Sequence, residues 1–277
     1  MFIKNPSNDK FDMIIVAGQS NALGCGMGET DTPFIPNERI LMLNEDFTAE
    51  FNDDNLIMKN SGNCYITVAN DRIENGEKKA SFCLSFAQKY LENNLDNDRK
   101  ILIVQTAVGG TGFAKKHWGE SEKLTVRMFE MVDLALSMNK ENKIVALLWH
   151  QGEHDMYRNE SFTYKEKYDF YYNKLFVFIK NFRAKYGSVP FISGGFCPSW
   201  IAQNKLTGVN AINDAYKNII RNIEKSAHVW KVDDLKSNND MVKCGDVIHF
   251  CRDSAYELGR RFYKEYKNII SKTWRLK

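Results

Sequence analysis

The hydrophobic pattern of this chain switches period at regular intervals. Short, nearly unbroken apolar runs occur at 13–17, 40–43, 101–105, 144–149, 189–193 and 229–232. Runs of that length suit strands buried on both faces. Between them apolar residues recur every three or four positions, which is the spacing of one helix face. After Ser81, a candidate N-cap, come Leu84, Ala87, Tyr90 and Leu91. Further on lie Leu124, Met128, Met131, Ala135 and Met138, then Tyr168, Tyr171, Leu175, Ile179 and Phe182. Val209, Ile212, Tyr216, Ile219 and Ile223 follow, and Ala255, Leu258, Phe262 and Ile269 close the chain. Strand and helix alternate throughout, so the pattern predicts an α/β fold: a central parallel sheet with helices on both faces.

One stretch breaks the rhythm. Residues 44–80 are polar and weakly periodic, and a connection this long inside a compact domain is usually functional. It reads as a substrate-side insertion in an otherwise single domain spanning 1–277. Composition agrees with one large core, since 43% of the 277 residues are hydrophobic and 26% are charged. The net charge of +3 is spread along the chain, without the basic stripe that nucleic-acid binding needs. No run is long enough to span a membrane. The first ten residues lack the apolar centre of a signal peptide, and a cytoplasmic location is expected. The six cysteines form no Cys-x-x-Cys pair, and an intracellular chain would keep them reduced. Cys244, His249 and Cys251 are close together but lack a fourth ligand at a sensible spacing, so no metal or other cofactor is expected.

In open parallel sheets, ligands bind outside the carboxyl ends of the strands. The segment after each predicted strand therefore carries the information. The first strand ends in Gly18-Gln19-Ser20-Asn21, the 101–105 strand in a loop containing Gly109-Gly110-Thr111-Gly112, and the 144–149 strand in His150-Gln151-Gly152-Glu153. Beyond the last strand a polar loop leads to Asp246-Val247-Ile248-His249-Phe250. Glycines and reactive side chains all fall on one edge of the sheet.

That edge holds the ingredients of nucleophilic catalysis. A serine hydroxyl needs a base to take its proton, and the base needs a third group to hold it. Of the five histidines, His117 follows two lysines and reads as exposed, His228 opens a strand, and His150 and His154 flank the Gln-Gly-Glu turn. His249 alone has a carboxylate, Asp246, three positions earlier in a turn. Ser20, His249 and Asp246 are thus the best candidate triad. Candidate donors to a tetrahedral oxyanion are the Ser20 amide, an amide of Gly109 or Gly110, and the side-chain amide of Gln151 or Asn21.

Taken together and in this order, the four motifs resemble the SGNH hydrolases, and within them the branch of sialate O-acetylesterases and bacterial acetylxylan esterases. The resemblance spans Ser20 to His249. It implies a flavodoxin-like three-layer sandwich and removal of acetyl groups from sugars through an acetyl-enzyme, without a metal. It also makes Ser20 the nucleophile, His249 the base, Asp246 the orienting acid, and Ser20, Gly110 and Gln151 the oxyanion hole. Asn21 and Gly109 would support the site, and Glu153 either fixes the Gln151 loop or shares the role of Asp246. Trp118, Trp200 and Tyr65 are candidates to stack on a sugar, and Arg72 or Lys115 to meet a carboxylate on a sialic acid. The expected partner is therefore an acetylated carbohydrate. Alternative readings are an esterase or acyltransferase for another acyl substrate, or a non-catalytic flavodoxin-like module whose glycine turns bind a ligand. The binding module would have no use for His249 or Asp246.

Overall fold

The computed structural model describes all residues except 53–54, 159–161, 205–207 and 275–277. Its strands, in chain order, are β1 (Phe2–Ile3), β2 (Phe11–Gly18), β3 (Ile40–Asn52), β4 (Asn55–Val68) and β5 (Arg72–Glu74), then β6 (Glu77–Lys79), β7 (Lys100–Gln105), β8 (Lys143–His150), β9 (Phe191–Gly194) and β10 (Ser226–Val229). The longer helices are α2 (Phe82–Asn93), α3 (Lys123–Ser137), α5 (Tyr164–Tyr186), α7 (Gly208–Asn222) and α9 (Arg252–Trp274). Short helices α1 (Ser20–Leu23), α4 (Glu153–Arg158), α6 (Pro198–Asn204) and α8 (Asn238–Val242) decorate the loops.

β2 lies at the centre of the main sheet and is buried from end to end. It is paired in parallel with β7 on one side and β8 on the other. Its Ile14, Ile15 and Val16 are wholly removed from water, each stabilising the fold by about 1.5–3 kcal/mol. The sheet order is β1-β4-β3-β7-β2-β8-β9-β10. From β3 to β10 the strands run parallel; at the other edge β4 turns back against β3.

Helices cover both faces. On one, α2 packs against α9 through stacked Phe82 and Phe262 and through Ser85, whose hydroxyl donates to the Tyr256 carbonyl at 2.6 Å. On the other, α5 joins α3 through Phe182 and Phe129, and joins α7 through the paired hydroxyls of Tyr171 and Tyr216. This is the predicted three-layer α/β arrangement.

Two details differ from the pattern. The final strand is Ser226–Val229 rather than 229–232, because its register against β9 begins at Ser226–Phe191 and the chain leaves the sheet with Trp230 half-exposed. Residues 44–52 and 55–68, read from sequence as part of a weakly periodic insertion, are strand. They complete β3 and β4 as a long antiparallel pair that continues past the end of β7, half-buried to exposed along its outer part.

Candidate active site

Three strands meet where β2 ends. Gly18 pairs with His150 of β8, at a backbone φ of +124° and with the His150 carbonyl only 2.1 Å from where a Cβ would stand, so no larger residue fits. The Gln19 amide donates to that carbonyl at 2.9 Å, while the Val108 amide donates to the Gly18 carbonyl at 3.1 Å. The chain then turns into the single turn of α1, with Ser20 as its first residue.

Opposite Ser20 stands the loop that precedes α9. His249 Nε2 lies 2.8 Å from Ser20 Oγ, and His249 Nδ1 lies 2.8 Å from Asp246 Oδ2. Burial pushes the Asp246 carboxyl up, but the hydrogen bond and charge of His249 and a hydrogen bond from Asn238 outweigh it and hold its pKa at about 2. An ionised Asp246 only accepts hydrogen bonds, so Nδ1 carries the proton and the Nε2 lone pair faces the serine hydroxyl. The arrangement can withdraw a proton from Ser20 and return it to a leaving group.

The loop is fixed from α8. Asn238, fully buried, donates from Nδ2 to Asp246 Oδ2 at 2.8 Å and to the Cys25 carbonyl at 2.9 Å, and accepts from the Met27 amide at 2.8 Å. Its own amide donates to the His249 carbonyl. Asn21 fastens the other side: it donates to Glu153 Oε1 at 2.9 Å and to the Ile248 carbonyl at 3.2 Å, and accepts from the Phe250 amide.

The glycine turn after β7 packs against the serine. A Cβ placed on Gly109 would stand 3.6 Å from the Ser20 Cβ. Gly110, the next residue, has φ +69°, and Thr111 anchors the turn through a 2.7 Å bond from its hydroxyl to the Val108 carbonyl. Ser20, as the first residue of a helix, has an amide without an intrahelical acceptor.

With that geometry in place, residues 10–268 match the family described as carbohydrate esterase, sialic acid-specific acetylesterase. The chain belongs to this family. Among solved structures it is similar to NanS, at 19% identity and a TM-score of 0.69 over 98% of this chain and 99% of that one. A protein from Arabidopsis thaliana superposes at 19% identity and a TM-score of 0.65 over 95% and 99% of the two chains. A carbohydrate acetylesterase from Xanthomonas citri aligns at 13% identity and a TM-score of 0.58, covering 93% of this chain and 56% of its own. No curated protein is detectably similar in sequence. Membership makes the chain a carboxylic ester hydrolase acting on acetylated carbohydrate, and among its described residues no helix is long and apolar enough to cross a membrane.

Within this carbohydrate esterase, several residues singled out from sequence do other work. Gln151 is fully buried; its Nε2 donates to Asp155 Oδ2 at 2.8 Å and has the Thr111 carbonyl and Gln19 Oε1 each at 3.3 Å. Two hydrogens facing three acceptors leave none for an oxyanion, so Gln151 ties the donor loops together instead. Glu153 is not the partner of His249. It is buried against Asn21 and His150, holding the Gln151 loop. Trp118 and Trp200 are core residues, 0% and 1% exposed, and cannot stack on a sugar. Trp118 packs on Trp149 and donates to the Thr111 hydroxyl, bracing the glycine turn. Tyr65 sits on β4, three strands from β2, or about 14 Å at sheet spacing. His117 is buried rather than exposed, accepting from the Gly112 amide at its Nδ1. Arg72 already pairs with Glu74 and the Gly24 carbonyl.

Sequence reasoning missed Asn238 and Asp155. Asp155, fully buried, accepts from the Phe113 and Ala114 amides at 3.1 and 2.7 Å as well as from Gln151. The Ser237-x-x-Asp240 capping box was a readable sign of α8, but nothing local to it points at Asp246.

Proposed function

We propose that this esterase removes O-acetyl groups from sugars through an acetyl-serine intermediate, with Ser20 as nucleophile. The observation that carries the reading is the unbroken chain of 2.8 Å contacts from Asp246 through His249 to Ser20. His249 takes the Ser20 proton as Oγ attacks the acetyl carbonyl. The amides of Ser20 and Gly110 hold the negative charge that develops on the carbonyl oxygen. Collapse expels the sugar oxygen, which receives the proton from His249 Nε2. Water, deprotonated by the same nitrogen, then attacks the acetyl carbonyl; acetate is released as Ser20 Oγ leaves and takes the proton back from His249.

The substrate reading rests on the family description. Acetylated xylo-oligosaccharides and O-acetylated sialic acid are the two substrates to offer, side by side, while acetate is measured. A sialic carboxylate meeting Arg72 would have to compete with Glu74, so the neutral oligosaccharide is expected to have the lower KM. Release from neither substrate would overturn the carbohydrate reading, and a lower KM for the sialic acid would overturn the ranking.

A further inference from the structure

The overhanging hairpin reaches the catalytic edge. β3 runs in register with β7 as far as the Leu43–Val104 pair, and β7 ends one residue later. β3 nevertheless continues to Asn52, roughly 25–30 Å further if extended. It is anchored where it leaves the sheet. Arg127 of α3 forms a buried ion pair with Glu45, donates to the Thr106 carbonyl at 3.0 Å and lies over the Phe47 ring. Farther out, Lys123 donates to the Leu56 carbonyl at 3.4 Å. These contacts hold the hairpin against the α3 layer.

The anchored hairpin delivers Phe51 to the glycine turn. Two atoms of its ring lie 3.5 and 3.6 Å from where a Cβ on Gly110 would stand, and its edge meets the His117 ring with centroids 5.6 Å apart. Even so, the Phe51 side chain remains 44% exposed. A large, half-exposed apolar ring thus flanks the Gly110 turn.

The layers decide which end of an ester it faces. His249 comes from the loop that enters α9, on the α2–α9 face; Phe51 comes in from the α3 face. The leaving oxygen must point at His249 Nε2 to be protonated, so the acyl substituent extends to the opposite side. Beside the start of α9 a cavity of about 370 Å³, with room for a sugar ring, is lined by Glu29, Glu77, Lys78 and Arg252 along with the apolar Met27 and Val242. We propose that Phe51 is the wall of the acyl pocket and restricts the enzyme to short acyl groups, acetyl above all. This assignment rests on the esterase reading of Ser20 and His249.

The test uses p-nitrophenyl acetate, propionate and butyrate, which vary the acyl group alone, with wild-type protein, Phe51→Ala and Phe51→Leu. Wild-type kcat/KM is expected to fall steeply from acetate to butyrate. In Phe51→Ala the butyrate-to-acetate ratio should rise about tenfold or more, the usual scale for a methylene gaining room, with Phe51→Leu in between. An unchanged ratio in both variants overturns the proposal. So does an unchanged ratio with a raised KM for acetylated xylo-oligosaccharide, which would make the ring a sugar platform. Absence of Ser20-dependent hydrolysis of p-nitrophenyl acetate by the wild type is a separate result: it removes the esterase reading itself, and the wall with it.

Discussion

Asp246 keeps its charge at neutral pH, and that charge fixes the tautomer of His249. Asp246→Asn should therefore lower kcat on the order of 10⁴-fold, as expected when a triad base loses its orienting acid, with the structure intact by circular dichroism. The same substitution has a signature in stability. In the fold Asp246 ionises at about 2, against an ordinary 3.8. Its contribution is complete above pH 4 and is lost as pH falls from there toward 2, because the unfolded chain takes up the proton first. A plot of Tm against pH should be flatter between pH 4 and 2 for the variant; an identical slope would contradict the assignment. Asn238→Ala removes a bond to the same carboxylate, typically about 1.5–3 kcal/mol for a charged partner. If that bond matters most in the transition state, kcat drops about ten- to hundredfold with KM unmoved. Ser20, His249 and Asp246 were legible because the chemistry demands those residue types near particular strand ends. Asn238 and the inward aim of Gln151 were not, since each depends on side-chain contacts between distant segments.

At the level of elements, the hairpin is where the sequence pattern and the structure part most. Alternation marks a strand when one face is buried and the other wet, or a continuous apolar run when both are buried. The overhanging part of β3 and β4 has neither environment along its length, so its pattern fades and it reads only as a weakly periodic insertion. β2, β7 and β8 are enclosed on both faces and read clearly. The Glu45–Arg127 pair at the hairpin base makes a prediction of its own. Arg127→Met leaves a buried, unpaired carboxylate and should cost about 3–5 kcal/mol of stability in urea unfolding. Glu45→Leu combined with Arg127→Met should recover most of it. If the double variant is no more stable than Arg127→Met, the pair is not the anchor described here.

For the molecule as a whole, the alternating pattern determined the sheet, and the sheet determined the edge at which the site assembles. What it left out is the second strand direction introduced by β4, and a stabilising network across the far strands. His228 of β10 is fully buried with its Nδ1 2.8 Å from the Ser193 hydroxyl of β9. Burial, helped by the charge of His150, lowers its pKa from 6.5 to about 3. Below pH 6.5 the unfolded chain binds a proton that the folded one refuses, so stability declines as pH falls through that window. His228→Asn should flatten the decline of Tm between pH 6.5 and 4; the wild-type slope retained would show that another group is responsible.

The central claim is that the ester bond is cleaved by Ser20. Its most direct test is the rate of acetate release from p-nitrophenyl acetate by Ser20→Ala beside the wild type, both verified as folded. If Ser20 is the nucleophile, kcat falls by about 10⁴-fold or more. Activity retained within tenfold of wild type would contradict it.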